Sequence, residues 1–135
     1  MTLVLSAGSR VMFTGDSITD CHRRDTDNPL GYGYPLLVAG QWGRRQPHRA
    51  PVWANTGISG DTLAGLGRRW QDDVLAARPD VVLARESGAR LVAADGMFAE
   101  LAAGNNPEHW LFDGVHPTPA GHQALAEAWL RQVDL

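Results

Sequence analysis

Arg10-Val-Met-Phe-Thr-Gly-Asp-Ser-Ile-Thr-Asp20 is the stretch on which the fold turns. Val11, Met12 and Phe13 form a short apolar run that stops at Thr14-Gly15-Asp16-Ser17. An apolar run closed by a glycine turn is the pattern of a buried parallel strand. Parallel strands in open α/β sheets present functional groups just beyond their carboxyl ends, which is where Ser17 falls. Gly15 lets the backbone bend sharply, and Asp16 and Ser17 are each able to cap a following helix. Ser17 is therefore either a capping residue or a nucleophile.

Downstream, Cys21 to Gly33 is polar and turn-rich and reads as a loop at that strand's carboxyl end. Tyr34 to Trp42 reads as a helix, with Pro35 suited to its first turn. Pro51 to Thr56 is a second strand that also breaks at a Gly/Ser turn, Gly57-Ile-Ser-Gly-Asp61. Leu63, Leu66, Trp70 and Val74 recur at helical steps, with Asp61 or Thr62 as the cap and Arg78-Pro79 as the stop. Asp80 to Ala84 is a third strand. The order βαβαβ predicts a parallel sheet with helices on its faces.

The pattern then breaks. Arg90 to Ala94 reads as another strand, yet only Arg85 to Ala89 stand before it. A crossover to a parallel neighbour takes about a dozen residues or more. Either the two strands form a hairpin through Glu86-Ser87-Gly88, or Arg85-Glu86-Ser87 is a last helical turn, or a crossover is absent. Met97 to Ala103 forms a short helix, Trp110 to Pro117 a loop, and Thr118-Pro119 opens a terminal helix buried through Leu125, Trp129 and Val133.

The length of 135 residues and a hydrophobic content of 44% suit a single domain spanning 1–135, long enough to bury a core. A net charge of -3 argues against nonspecific attraction to nucleic acid or anionic lipid. The basic residues are all arginine, and Arg23-Arg24, Arg44-Arg45 and Arg68-Arg69 read as solvated surface. Cys21 is the sole cysteine, so neither an internal disulfide nor a cysteine zinc site is expected. Met1 to Leu5 lacks the pattern of a secretion signal, no run reaches membrane-spanning length, and a cytoplasmic location is the expectation. The five histidines show no metal-ligand spacing, and without lysine there is no P-loop. No cofactor is expected.

Asp113-Gly-Val-His116 sets an acid three residues before a histidine. A serine nucleophile needs a base for its proton and an acid to hold that base in the right tautomer. Asp113 and His116 meet that need if their loop faces Ser17; otherwise they simply bond nearby backbone. Two other serines compete. Ser59 lies in a turn that departs from the G-x-S-x-G elbow, since Asp61 replaces its last glycine. Ser87 falls on the irregular junction and reads as a turn residue.

Gly15-Asp16-Ser17, Asn55-Thr-Gly-Ile-Ser-Gly-Asp-Thr62 and Asp113-Gly-Val-His116-Pro117 together resemble three of the four sequence blocks of the SGNH (GDSL-type) hydrolases. They stand in the family's order across Leu3 to Leu130. The resemblance implies a flavodoxin-like three-layer α/β/α fold with a mostly parallel sheet. It also implies an esterase or lipase site with Ser17 as nucleophile, His116 as base and Asp113 as its orienting acid. The N–H groups of Ser17 and Gly60 would face the oxyanion.

The remaining block of that family, a Gly-x-Asn-Asp stretch after the third strand, supplies an Asn donor to the oxyanion. This chain has Arg85-Glu-Ser-Gly88 instead. Against the family pattern, Ala84 to Val92 looks like a third strand fused to the tail of a later helix and its next strand. An internal deletion is thus expected where the crossover is too short. Asn55, Asn105 or Asn106 could replace the donor, with nothing in the sequence favouring one of them.

The leading expectation is a serine esterase acting on small acyl or acetyl esters, slowed by the lost Asn. Its rate should rise with pH as a histidine base deprotonates, near 6.5 for an ordinary imidazole. The alternative is an inactive derivative of the same fold, dimeric through a sheet edge that the deletion leaves uncovered. A flavodoxin-like phosphate-binding module is a third reading, but no phosphate loop supports it.

Overall fold

The computed structural model describes residues 3–84, 94–104 and 106–134. Its elements are β1 (Leu3–Val4), β2 (Arg10–Thr14), α1 (Ser17–Asp20), α2 (Tyr34–Arg45), β3 (Val52–Asn55), α3 (Leu63–Asp73), β4 (Val81–Ala84), α4 (Ala94–Ala103), α5 (Pro107–Trp110), α6 (Pro119–Leu130) and β5 (Val133–Asp134). A 3₁₀ turn, Leu75–Ala77, closes α3.

The strands form a parallel sheet in the order β3-β2-β4. The chain leaves β2 for β3 on one side and then crosses to β4 on the other. Strand order therefore reverses at β2, the switch point where sheets of this kind open a crevice beyond their carboxyl ends. Thr14 and Gly15 lead directly into that crevice. Pairing continues past the strands: Thr56 N–H donates to the Phe13 carbonyl at 2.8 Å and Ile58 N–H to the Gly15 carbonyl at 3.0 Å. The two loops that follow β2 and β3 are thereby held side by side.

Alternation along β2 sends Val11 and Phe13 to one face and Met12 to the other. On the first face Val11 and Phe13 pack with Val38 and Trp42 of α2 and Leu125 and Trp129 of α6, all buried. Phe13 is the centre of an aromatic cluster, 5.6 Å from Tyr34 and 6.0 Å from both Trp53 and Trp129 between ring centroids. The crossover from β3 to β4 runs the opposite way over the sheet, so a right-handed connection carries α3 to the second face. Met12, Leu66, Val74 and Ala84 are buried apart from the first cluster. Phe13 is fully buried, so Phe13→Ala should cost about 3–5 kcal/mol, read as a lower urea midpoint at unchanged slope.

The helix boundaries follow local chemistry. Thr62 accepts from Gly65 N–H and starts α3, while Thr118 accepts from Gly121 N–H and starts α6 with Pro119 in the first turn. Val133 is buried as expected but lies beyond α6, in β5, where it pairs in parallel with Leu3 of β1. These two-residue strands and α5 were not anticipated. The predicted strand at Arg90 to Ala94 falls outside the described residues except for Ala94, which opens α4 instead. The irregular junction, with Ser87 and the Arg85-Glu-Ser-Gly88 stretch, also lies outside them. Among the described residues no helix is long and apolar enough to cross a membrane.

Candidate active site

The turn after β2 divides the work between its two polar residues. Asp16 is the cap of α1, its Oδ1 accepting from Ile18 N–H at 3.0 Å. The Ser17 side chain is thus released from capping, and its Oγ lies 3.0 Å from His116 Nε2. Those two residues are 99 positions apart in the chain.

His116 is held by its own loop. Leu111 and Pro117 form an antiparallel bridge, Phe112 N–H donates to the His116 carbonyl at 3.1 Å, and Thr118 N–H donates to the Trp110 carbonyl at 3.0 Å. Gly114 takes the positive φ of 82° that reverses the chain inside this loop. Asp113 Oδ1 accepts from the N–H groups of Val115 and His116, at 2.9 and 2.6 Å, an Asx-type turn. Its Oδ2 lies 2.6 Å from His116 Nδ1. With a carboxylate on Nδ1, the ring proton belongs there and Nε2 keeps a lone pair toward the Ser17 hydroxyl. These bonds, above all the His116 N–H and ring N–H, hold the Asp113 carboxyl down at about 2.

The loop after β3 contributes the other wall. Gly60 has φ of 79°, and among the described residues neither its N–H nor that of Ser17 meets an acceptor. Beside it, Ser59 gives both its N–H (2.9 Å) and its hydroxyl (2.8 Å) to the buried Asp20 Oδ2. Ser59 therefore anchors a loop, and among the described residues no imidazole meets its hydroxyl. Gly57 sits against the backbone of Thr19 and Asp20, where a Cβ would fall 2.9 Å from Thr19 C. Gly57→Ala has no flexible neighbour to displace and should destabilise by about 1–3 kcal/mol, checked by the thermal midpoint.

Asn55 is not an available donor. Its amide gives both protons away, to the carbonyls of Thr19 (2.7 Å) and Leu30 (2.9 Å), while its oxygen accepts from Gly57 N–H. Asn106 caps α5 by accepting from Glu108 N–H, and Asn105 lies outside the described residues. Two arginines expected at the surface are instead structural. Arg69 is 14% exposed and Arg23 22%, and both bond into the two loops: Arg23 Nη2 donates to the Gly57 carbonyl at 2.6 Å. Pairing of this sort is set by distant chain segments and leaves no periodic mark in the sequence. Nor did His122 stand out there: it is buried, takes Tyr34 N–H on Nδ1, and turns Nε2 toward Cys21 Sγ at 3.6 Å.

Ser17, Gly60, Asp61, Phe112, Val115 and His116 line an open cleft of about 680 Å³. Phe112 stacks over His116 with centroids 5.8 Å apart and stays 64% exposed, giving the cleft an apolar lip. Among the described residues no group of acids, histidines and cysteine is arranged to hold a metal.

No family model matches the chain. An acetylxylan esterase of Geobacillus stearothermophilus is 39% identical over 83 residues, which are 58% of this chain and 38% of that relative. Among solved structures, Axe2, an acetylxylan esterase of the same organism, superposes with a TM-score of 0.85 at 23% identity, the match spanning 97% of this chain and 96% of that one. A GDSL-like lipase candidate from Parabacteroides merdae gives a TM-score of 0.85 at 21% identity, spanning 98% of each chain. Over those 83 residues the chain is similar to an acetylxylan esterase, and its fold is the one shared by Axe2 and the Parabacteroides merdae protein. It spans well under half the length of the curated relative that it matches. The expected α/β class with a parallel sheet is the observed one, and the three quoted blocks meet around one cleft.

Proposed function

We propose that this protein is a serine esterase of the SGNH type, acting on small acyl or acetyl esters. The observation that carries the reading is the 3.0 Å contact between Ser17 Oγ and His116 Nε2, with Asp113 behind the ring. It draws support from Axe2, whose catalytic mutants replace a serine, an aspartate and a histidine, the last two spaced as Asp113 and His116 are.

In this mechanism His116 Nε2 takes the Ser17 proton as Oγ attacks the ester carbonyl. Negative charge grows on the carbonyl oxygen, toward which the Ser17 and Gly60 N–H groups are the available donors. Collapse of the adduct breaks the C–O bond to the alcohol, which receives the proton from His116 and leaves an acyl group on Ser17. Water, deprotonated by the same nitrogen, then releases the acid. Asp113 stays ionised throughout and stabilises the imidazolium formed in each half-reaction.

Two donors in place of three imply a slow enzyme. Loss of one oxyanion donor costs roughly 10²–10³ in turnover; Asn55 gives both amide protons to backbone carbonyls, and Asn106 does not line the cleft. The spacing of 99 residues between Ser17 and His116 is also far shorter than that between the corresponding replaced residues of Axe2, in keeping with an internal deletion. A fluorophosphonate that labels nucleophilic serines tests the reading. Stoichiometric modification at Ser17 is expected, whereas an unlabelled, folded protein would identify the inactive alternative.

A further inference from the structure

Between the loop of Ser17 and that of Gly60 lies a largely covered cation, Arg69, with four acceptors. Arg69 reaches from the second turn of α3, its Nε donating to Asp61 Oδ2 at 2.7 Å and its Nη1 to the Thr56 carbonyl at 2.7 Å and Asp73 Oδ2 at 3.0 Å. Its Nη2 donates to the Gly15 carbonyl at 3.1 Å. Gly15 stands two residues before the serine, and Asp61 directly follows Gly60. A planar guanidinium with several fixed donors suits such a junction, whereas an ammonium is a single point charge.

The surroundings are built for this grip. Asp61 is 13% exposed, and its Oδ1 accepts from Thr62 N–H at 2.9 Å. Gly65, one turn into α3, leaves room for the Asp61 carboxylate, which any Cβ there would strike. The Arg69 bond pulls the Asp61 carboxyl below the usual carboxylate range. On the other side of Gly60, Ser59 is tied to Asp20, the last residue of the helix that Ser17 begins. Gly60 is thus held from both flanks, and each tie runs back to the segment carrying the serine.

We propose that Arg69 is a positioning residue for the oxyanion, holding the Gly60 N–H in register with the Ser17 N–H. Gly60 alone does not supply this order, because its φ of 79° reflects glycine freedom and the space where a Cβ would stand is open. With no Asn donor among the described residues to share the task, the register between two backbone N–H groups sets the rate. In its kinetic part the inference rests on the esterase reading.

The test compares Arg69→Met, Arg69→Lys and Asp61→Asn with the parent. A misplacement of about 1 Å costs on the order of 10²-fold in rate. Arg69→Met should therefore lower kcat on a chromogenic acetate ester by about that factor with KM nearly unchanged, and Arg69→Lys should restore part of it. In the free protein, the Gly60 amide ¹H–¹⁵N resonance should move in Arg69→Met while the Leu125 amide stays in place. Asp61→Asn, milder for folding, should move the same Gly60 resonance. An unmoved Gly60 amide, or a kcat that falls only in proportion to the unfolded fraction, overturns the proposal. Fluorophosphonate labelling of the parent judges the esterase reading alone, while the Gly60 resonance judges the clamp whatever the parent hydrolyses.

Discussion

Ser17→Ala should abolish both hydrolysis of a chromogenic acetate ester and fluorophosphonate labelling, while the thermal midpoint stays close to that of the parent. The separation of effects follows from the division of labour in the first turn of α1. Capping belongs to Asp16, which accepts Ile18 N–H, so loss of the Ser17 hydroxyl removes no helix bond. What it removes is the group facing His116 Nε2 at 3.0 Å. Deleting the nucleophile of a serine–histidine–acid triad costs about 10⁴–10⁶ in turnover, leaving the weak assistance of binding and oxyanion donors. Ser59 cannot substitute, because its hydroxyl is committed to Asp20 and no imidazole meets it. Equal hydrolysis by Ser17→Ala and the parent would take Ser17 out of the reaction.

Asp113→Asn should be nearly as severe, at about 10⁴-fold in kcat, for a different reason. The carboxylate accepts three N–H groups, from Val115, the His116 backbone and His116 Nδ1. An amide in that place can keep the backbone bonds through its oxygen, but it turns its own N–H toward Nδ1. The imidazole then carries its proton on Nε2, facing Ser17, and is no longer a base for the hydroxyl. The pH dependence separates the two groups. Asp113 titrates at about 2, below the ordinary value near 3.8, because its charged form is the one that is bonded. Its bonds therefore contribute fully above the ordinary carboxylate range and are lost only as pH falls through about 2. Above about pH 4 Asp113 is fully ionised and adds no proton to the acid limb, so log kcat/KM should climb there with a slope no steeper than one. A slope of two would mean that a second group, Asp113 included, titrates in the same range.

The parts of this molecule that depend on near neighbours could be read from the chain in order. The strand runs at Val11 to Phe13, Pro51 to Thr56 and Asp80 to Ala84, the helical spacing from Leu63 to Val74, and the caps at Thr62 and Thr118 are local patterns. All appear as elements within a residue or two of their expected bounds. The parallel sheet follows from them, since strands joined through helices have few other ways to pair. Strands of two residues have no period to detect, which is why β1 and β5 escaped and why Val133 was assigned to the helix before it. Asn55 looked like a spare donor because its partners, the carbonyls of Thr19 and Leu30, are far off in sequence.

Residue types and their order thus settled, before any coordinates, that a serine, an acid and a histidine stood ready on strand-end and pre-helix loops. Whether they met was a matter of packing: α6 and the Leu111–Pro117 bridge carry His116 to Ser17 across 99 residues. The same holds for Arg23 and Arg69, charged pairs by composition and partly buried struts by contact. Local patterns fix backbone shape because they act between residues a few positions apart. Proximity between distant side chains arises only when apolar burial closes the chain around them, and no short window of sequence records it.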